Sequence, residues 1–302
     1  MAQFNFKAIG TTWTIDIFQD FSVAEEANVL ARIMARIDMF DKAYSRFRSD
    51  SIVAEVAQKA GVYSLPSDSE KMFDLYHDLY LRTGGFFTPL VGKLLVDAGY
   101  DSEYSLKQKG ELEIPPAWDE VMEFKKNDEE TNSPMLVIKK PVQLDFGAAG
   151  KGYLIDLVGE TLESHGITEY CINAGGDILH KRITGKEKND PIRVGLEDPE
   201  NTEQVIGVYE LKNKSICGSA GNRRAWGNFT HIMNPKTLAS PTEIIALWVV
   251  ADHAILADAL TTCLFFVKPE TLGDAYKFEY LIMYKDRSIE KSDGFVAELF
   301  TK

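Results

Sequence analysis

The sequence predicts an α+β protein, and three observations carry that reading. Helical and strand periods alternate irregularly along the chain, without the βαβ rhythm of a parallel sheet. Strand signals are denser in the second half than in the first. Of 302 residues, 45% are hydrophobic and 26% charged, which is the balance of a folded chain with ample material for a buried core. We find no internal repeat and no low-complexity run, and read residues 1–302 as one domain.

The elements follow in order. Residues 3–18 read as two short strands around Gly10, with Thr11, Trp13, Ile15 and Ile17 alternating on one side. Val29, Leu30, Ile33, Met34, Ile37 and Phe40 recur at helical spacing and predict a helix over about 22–47, with Ser22 and Glu25 spaced as a capping box. A second helix over about 67–82 starts at Ser67 or Asp68 and stops at Gly84-Gly85. Residues 101–133 are polar and contain proline, which predicts loops and short helices. Short apolar runs at 135–138 and 142–145 precede a helix over 151–165. Strands are predicted at 169–172, 192–196, 205–211, 214–217 and 244–250. A helix over about 254–266 and a hairpin of 280–284 with 288–291 complete the pattern.

Charge and sequence chemistry exclude several classes. The formal net charge of -13 repels phosphate backbones, so nucleic acid is not an expected partner. An anionic ligand would need local compensation from a metal, a lysine or a helix N-terminus. Met-Ala-Gln-Phe-Asn-Phe-Lys at the start has no apolar core of an export signal, and no run of about 18 apolar residues predicts a membrane span. With three widely spaced cysteines, Cys171, Cys217 and Cys263, the expectation is a cytoplasmic chain with reduced, buried thiols.

Four segments carry candidate chemistry. Leu144-Asp145-Phe146-Gly147-Ala148-Ala149-Gly150-Lys151-Gly152-Tyr153 leads from a predicted strand at 142–145 into a helix. Its bare backbone can approach an anion at a helix N-terminus, with Lys151 adding charge; a plain strand–helix turn reads equally well. Asn173-Ala174-Gly175-Gly176-Asp177 is either a hairpin turn or a close-approach loop aiming Asp177 at a ligand. Asp258 and Thr262 are four apart on one helical face, which suits a hard cation such as magnesium; a cap and a hydroxyl back-bonded to its own helix are the alternative. His231, in a predicted short strand before Asn234-Pro235, is a candidate base or a structural histidine. No G-x-S-x-G, H-E-x-x-H or G-x-G-x-x-G element is present.

Nine segments, in order, resemble the ApbE family of FAD:protein FMN transferases. They are Gly10-Thr11-Thr12-Trp13, Tyr44-Ser45-Arg46-Phe47-Arg48-Ser49-Asp50-Ser51, Gly84-Gly85-Phe86-Phe87-Thr88-Pro89-Leu90-Val91-Gly92, residues 145–153, residues 173–177, Val194-Gly195-Leu196-Glu197-Asp198-Pro199, Ser219-Ala220-Gly221-Asn222, residues 230–235 and residues 257–262. The resemblance implies mixed sheets flanked by helices, with FAD in a cleft between lobes. It implies a magnesium ion held by the side chains of Asp258 and Thr262 and a backbone carbonyl at Gly150. His231 would be the general base, with Lys151 beside the phosphates. Ile9, Tyr44, Phe87, Lys151, Asn173, Ala174, Gly175, Gly176 and Asp177 would line the FAD site. The implied partner is an acceptor protein with an FMN-binding domain and a D-G-x-x-x-A-T-like motif, whose threonine or serine receives the FMN. FAD cleavage to FMN and AMP by water, or FAD binding without catalysis, are the rival readings. The chain departs from the family pattern at Ile9 (Met is usual), Thr88 and Asn234 (Asp in both), Ser219-Ala220 (Thr-Ser) and Gly150 (Ala).

Overall fold

The structure is a computed structural model and describes residues 2–19, 22–126, 133–182, 191–222 and 224–300. Its first element is a hairpin of β1 (Ala2–Ala8) and β2 (Thr11–Ile17). The turn places both Ile9 and Gly10 at positive φ, 41° and 74°. Glycine adopts this backbone freely, whereas a β-branched residue does so only under constraint. In α1 (Val23–Tyr44) the capping box forms: the Ser22 hydroxyl accepts the Glu25 N–H at 3.3 Å and the Glu25 carboxylate accepts the Ser22 N–H at 2.6 Å. The apolar stripe of α1 buries Val29, Ile33, Ile37 and Phe40.

The middle of the chain is made of short pieces. They are α2 (Ile52–Val56), β3 (Gly61–Ser64), α3 (Ser69–Arg82), α4 (Gly92–Ala98), α5 (Trp118–Val121), β4 (Met122–Lys125) and β5 (Met135–Ile138). Strands β3, β5 and β4 form a small antiparallel sheet. The run at 142–145, expected as a strand, joins no sheet among the described residues. Its amides are spent locally: Val142 donates to the Val56 carbonyl at 3.2 Å and Asp145 to the Pro89 carbonyl at 2.7 Å. Between 101 and 133, α5 fits the expected short helices, β4 was not foreseen, and 127–132 lie outside the described residues.

From α6 (Gly150–Ser164) onward the chain builds the main sheet. The strands of this half begin with β6 (Glu169–Ala174), β7 (Asp177–Arg182), β8 (Ile192–Asp198), β9 (Asn201–Leu211), β10 (Ser215–Ala220), β11 (Ala225–Trp226), β12 (Phe229–Thr230) and β13 (Ile244–Ala251), of which β6, β7, β10 and β13 join the main sheet. Then come α7 (Ala254–Cys263), α8 (Glu270–Gly273), β14 (Glu279–Tyr284), β15 (Ile289–Lys291) and β16 (Ala297–Leu299). Eight strands pair antiparallel in the order β1-β2-β6-β7-β10-β13-β14-β15. One face of this sheet buries Trp13, Ile15, Ile17, Ile172, Leu179, Leu247 and Val249 in a core shared with α1, α6 and α7. The other face packs Ile178, Ile216, Trp248, Val250, Leu281 and Met283 against Val194, Leu196, Ile206 and Leu211 of a three-stranded sheet, β16-β9-β8. The period-2 alternation of each strand thus feeds two cores.

Boundaries shift where tertiary contacts override local pattern. Helix α1 stops at Tyr44 and α7 at Cys263, both short of the expected ends. Strand β7, hidden because it is buried on both faces, pairs with β6 and β10. Strand β12 ends at Thr230, so His231 follows the strand rather than lying in it.

Candidate active site

The site begins where α6 and α7 touch. The N-cap of α6, Ala149, makes no side-chain capping bond, and the Gly150 N–H goes instead to the Phe146 carbonyl at 2.7 Å. The Gly152 N–H donates to Asp258 Oδ2 on α7 at 2.8 Å. This approach requires glycine: a Cβ at Gly152 would lie 2.2 Å from the Ala254 carbonyl oxygen and 2.6 Å from Asp258 Cβ. Gly152→Ala is therefore expected to push α7 off α6, at a cost of roughly 1–3 kcal/mol. A melting temperature lowered by several degrees, with a larger loss of activity than of stability, is the measurement that checks it.

Asp258 is buried. Burial pushes its carboxyl up, with Asp177 adding to the shift and Lys151 opposing it, to about 7. No hydrogen bond among the described residues takes Asp258 Oδ1 or the half-buried Thr262 hydroxyl. The neighbouring Thr261 is the hydroxyl that back-bonds, to the Asp258 carbonyl at 2.6 Å. Among the described residues no group of three or more His, Cys, Asp or Glu side chains is placed to hold a metal. An all-oxygen set of one carboxylate, one hydroxyl and one backbone carbonyl (Asp258, Thr262, Gly150) fits magnesium, which takes its remaining ligands from water and phosphate.

A turn built on two glycines brings a second carboxylate alongside. Gly175 and Gly176 sit at positive φ, 65° and 102°, in the β6–β7 turn. The Asn173 carboxamide oxygen accepts the Gly176 N–H at 2.9 Å, and the Gly175 N–H reaches the Thr12 carbonyl at 3.0 Å. A Cβ at Gly175 would lie 2.1 Å from Thr11 Oγ1, so this turn is locked onto β2. Ala174 is buried opposite Trp13. Asp177, at the start of β7, pairs with Lys151 and accepts the Gly218 N–H at 3.1 Å. Burial alone would depress the Lys151 ammonium, but Asp177 and Asp258 outweigh it and hold the group charged.

His231, its backbone N–H bonded to the Arg224 carbonyl at 3.1 Å, lies within electrostatic reach of Lys151. Its Nδ1 is buried with no hydrogen-bond partner among the described residues. Burial, then the nearby Arg224 and Lys151 cations, push its pKa down to about 4. The ring is therefore neutral at pH 7 and has a nitrogen free to take a proton. Next to it, Arg46 pairs with Asp145, whose Oδ1 accepts the Gly147 N–H at 2.7 Å. The Arg46 guanidinium lies 4.2 Å from the Phe47 ring centre and 4.8 Å from that of Tyr100. Tyr104 stacks on the exposed Phe47, with ring centres 5.6 Å apart.

The remaining expected residues fall as follows. Ile9 is partly buried in the β1–β2 turn and packs on the main core. Tyr44 and Phe87 are core side chains: Tyr44 packs on Phe40 and Phe146 with its hydroxyl unpartnered, and Phe87 packs on Tyr76. Thr88 and Asn234, which replace the family's acids, serve as local caps. Thr88 Oγ1 accepts the Leu90 N–H at 3.2 Å, and Asn234 Oδ1 accepts those of Lys236 and Thr237 at 2.9 and 3.0 Å. Asn234→Asp preserves both acceptors, so its activity is expected to stay within about threefold of the parent, read by initial rates. Asp145 and Arg46 lay inside quoted segments without an assigned role. Asp156 was passed over altogether, because its partners are 98 and 99 residues away.

The architecture is found in solved proteins. The ApbE protein from Thermotoga maritima superposes with a TM-score of 0.79 at 21% identity, covering 97% of each chain. The flavin transferase ApbE from Vibrio cholerae superposes with a TM-score of 0.77 at 18% identity, again over 97% of each chain. The fold is thus that of the ApbE flavin transferases. A model of the ApbE family matches residues 9–279, and the chain belongs to this family. Among relatives, an FAD:protein FMN transferase of Klebsiella pneumoniae is 23% identical, aligned over 96% of this chain and 84% of its own length. One from Escherichia coli K12 is also 23% identical, over 92% and 82%.

Proposed function

We propose that this chain is a magnesium-dependent FAD:protein FMN transferase that moves FMN from FAD onto a threonine or serine of an acceptor flavoprotein and releases AMP. The observation that carries the reading is the Lys151–Asp177 pair beside Asp258 at one helix junction, with a neutral His231 close enough to feel the Lys151 charge and with no Nδ1 partner among the described residues. The relatives' shared name supports the same activity.

Each residue then has a task. Asp258, Thr262 and the Gly150 carbonyl would hold the cation, which supplies charge neutralisation at the FAD pyrophosphate when bound. Lys151, fixed by Asp177, places a permanent positive charge beside the α6 N-terminus, where the positive end of the helix dipole also favours an anion. The Asn173–Asp177 turn and Ile9 would border the flavin nucleotide. His231 takes the proton from the acceptor hydroxyl as its oxygen attacks the FMN-side phosphorus. The bond between that phosphorus and the bridging oxygen breaks, AMP leaves with the electron pair, and FMN remains on the acceptor as a phosphoester. The acceptor is a separate protein carrying a D-G-x-x-x-A-T-like segment in its FMN-binding domain.

Product analysis tests this reading. With FAD, magnesium and acceptor present, AMP is expected to appear in equal amount to acceptor-bound FMN, and free FMN to stay low. AMP and free FMN in equal amounts, at a rate indifferent to acceptor, would replace the transferase with a hydrolase.

A further inference from the structure

We infer that Asp156 is a positioning residue for the proposed cation site, holding α7 in the register that presents Asp258 and Thr262; this rests on the magnesium reading above. Helix α7 lacks a cap of its own: His253 at its N-cap makes no side-chain capping bond. The two amides this leaves open are taken by one carboxylate from the other helix. Asp156 Oδ1 accepts the Ala254 N–H and Oδ2 the Ile255 N–H, each at 2.9 Å. A capping carboxylate is usually a neighbour in sequence; here it is a tertiary contact.

The geometry gives this contact a second meaning. Asp156 is four residues after Gly152, so both lie on the same face of α6. Ala254 is four residues before Asp258, and Asp258 four before Thr262, along one face of α7. Gly152 touches α7 at Ala254 and Asp258, and Asp156 grips it at Ala254 and Ile255. Two contacts one turn apart fix both the slide and the rotation of α7 along α6. Without the Asp156 grip, the Gly152–Asp258 bond alone must set the position of the carboxylate and hydroxyl. Removing such supports typically weakens metal binding by about 10–100-fold.

The test titrates Mn2+ into the protein, alone and with FAD, and follows free Mn2+ by electron paramagnetic resonance. Asp156→Asn keeps the shape but loses one acceptor and the charge. Its half-saturating Mn2+ concentration is expected to rise about tenfold or more, with turnover at saturating metal changed less than the half-saturation. Glu160→Gln is the control: Glu160 is one turn further along α6 and pairs with Lys71 at 2.8 Å on the surface. It should bind Mn2+ within about twofold of the parent. Should Asp156→Asn fail to fold, Ile255→Pro leaves Asp156 in place and deletes one of its two donors in the first helical turn, where proline is tolerated; a rise of a few fold is expected. Unchanged Mn2+ affinity in either folded variant overturns the positioning role. A parent protein that binds no Mn2+ with or without FAD overturns the metal reading itself, and is told apart by that.

Discussion

His231→Gln is expected to lower the rate of FMN transfer by about 10²–10⁴-fold, with FAD binding little changed. The reasoning is local. The imidazole is held neutral by burial and by the Arg224 and Lys151 cations, with its pKa near 4. Its Nδ1 has no hydrogen-bond partner among the described residues, and a buried nitrogen is rarely left so without a use. Glutamine retains size and polarity but takes no proton. Two pH measurements sharpen the point. At saturating magnesium, the acid limb contributed by this base should lie well below pH 6, since the neutral form persists to its depressed pKa. Stability follows the same sign: the unfolded chain binds a proton on this residue near the ordinary value of 6.5, and the folded chain does not until about 4. Folding stability is therefore lost as pH falls through that window, and the variant should lose less of it. A rate unchanged in His231→Gln would remove the base from the mechanism.

Asp258→Asn is expected to reduce magnesium-dependent transfer by about 10³-fold, the scale of several kcal/mol of metal stabilisation. The carboxamide oxygen can still accept the Gly152 N–H, so the α6–α7 junction should survive. Without metal, the variant should melt no lower than the parent, because a buried charge lacking its cation is costly and asparagine removes it. Added magnesium should raise the parent's melting temperature in the presence of FAD and leave the variant's unmoved. A variant that melts far below the parent would instead make Asp258 a structural residue.

What the sequence made legible was local. The Ser22–Glu25 box and the 3.6-residue period fixed the start of α1, and the glycine-rich run before Tyr153 fixed that of α6. The four-residue spacing of Asp258 and Thr262 placed both on α7, because helix geometry alone determines that. Long-range pairings were not legible. Lys151 meets Asp177 only because β6 and β7 fold back beside α6, and Arg46 meets Asp145 across 99 residues. Nothing in either local pattern encodes these encounters. Tyr44 and Phe87 illustrate the converse: they belong to family-like segments, and packing against Phe146 and Tyr76 draws them into the core. At 88 and 234, where the family's acids are absent, the hydroxyl and carboxamide close local turns.

The most direct measurement is the intact mass of an acceptor FMN-binding domain after incubation with this protein, FAD and magnesium, with and without chelator. The account predicts a gain of one FMN less one water on the acceptor, abolished by chelator and by alanine at the motif threonine or serine, and nearly lost with His231→Gln or Asp258→Asn. An acceptor of unchanged mass, with FAD intact or split to free FMN and AMP, would contradict it.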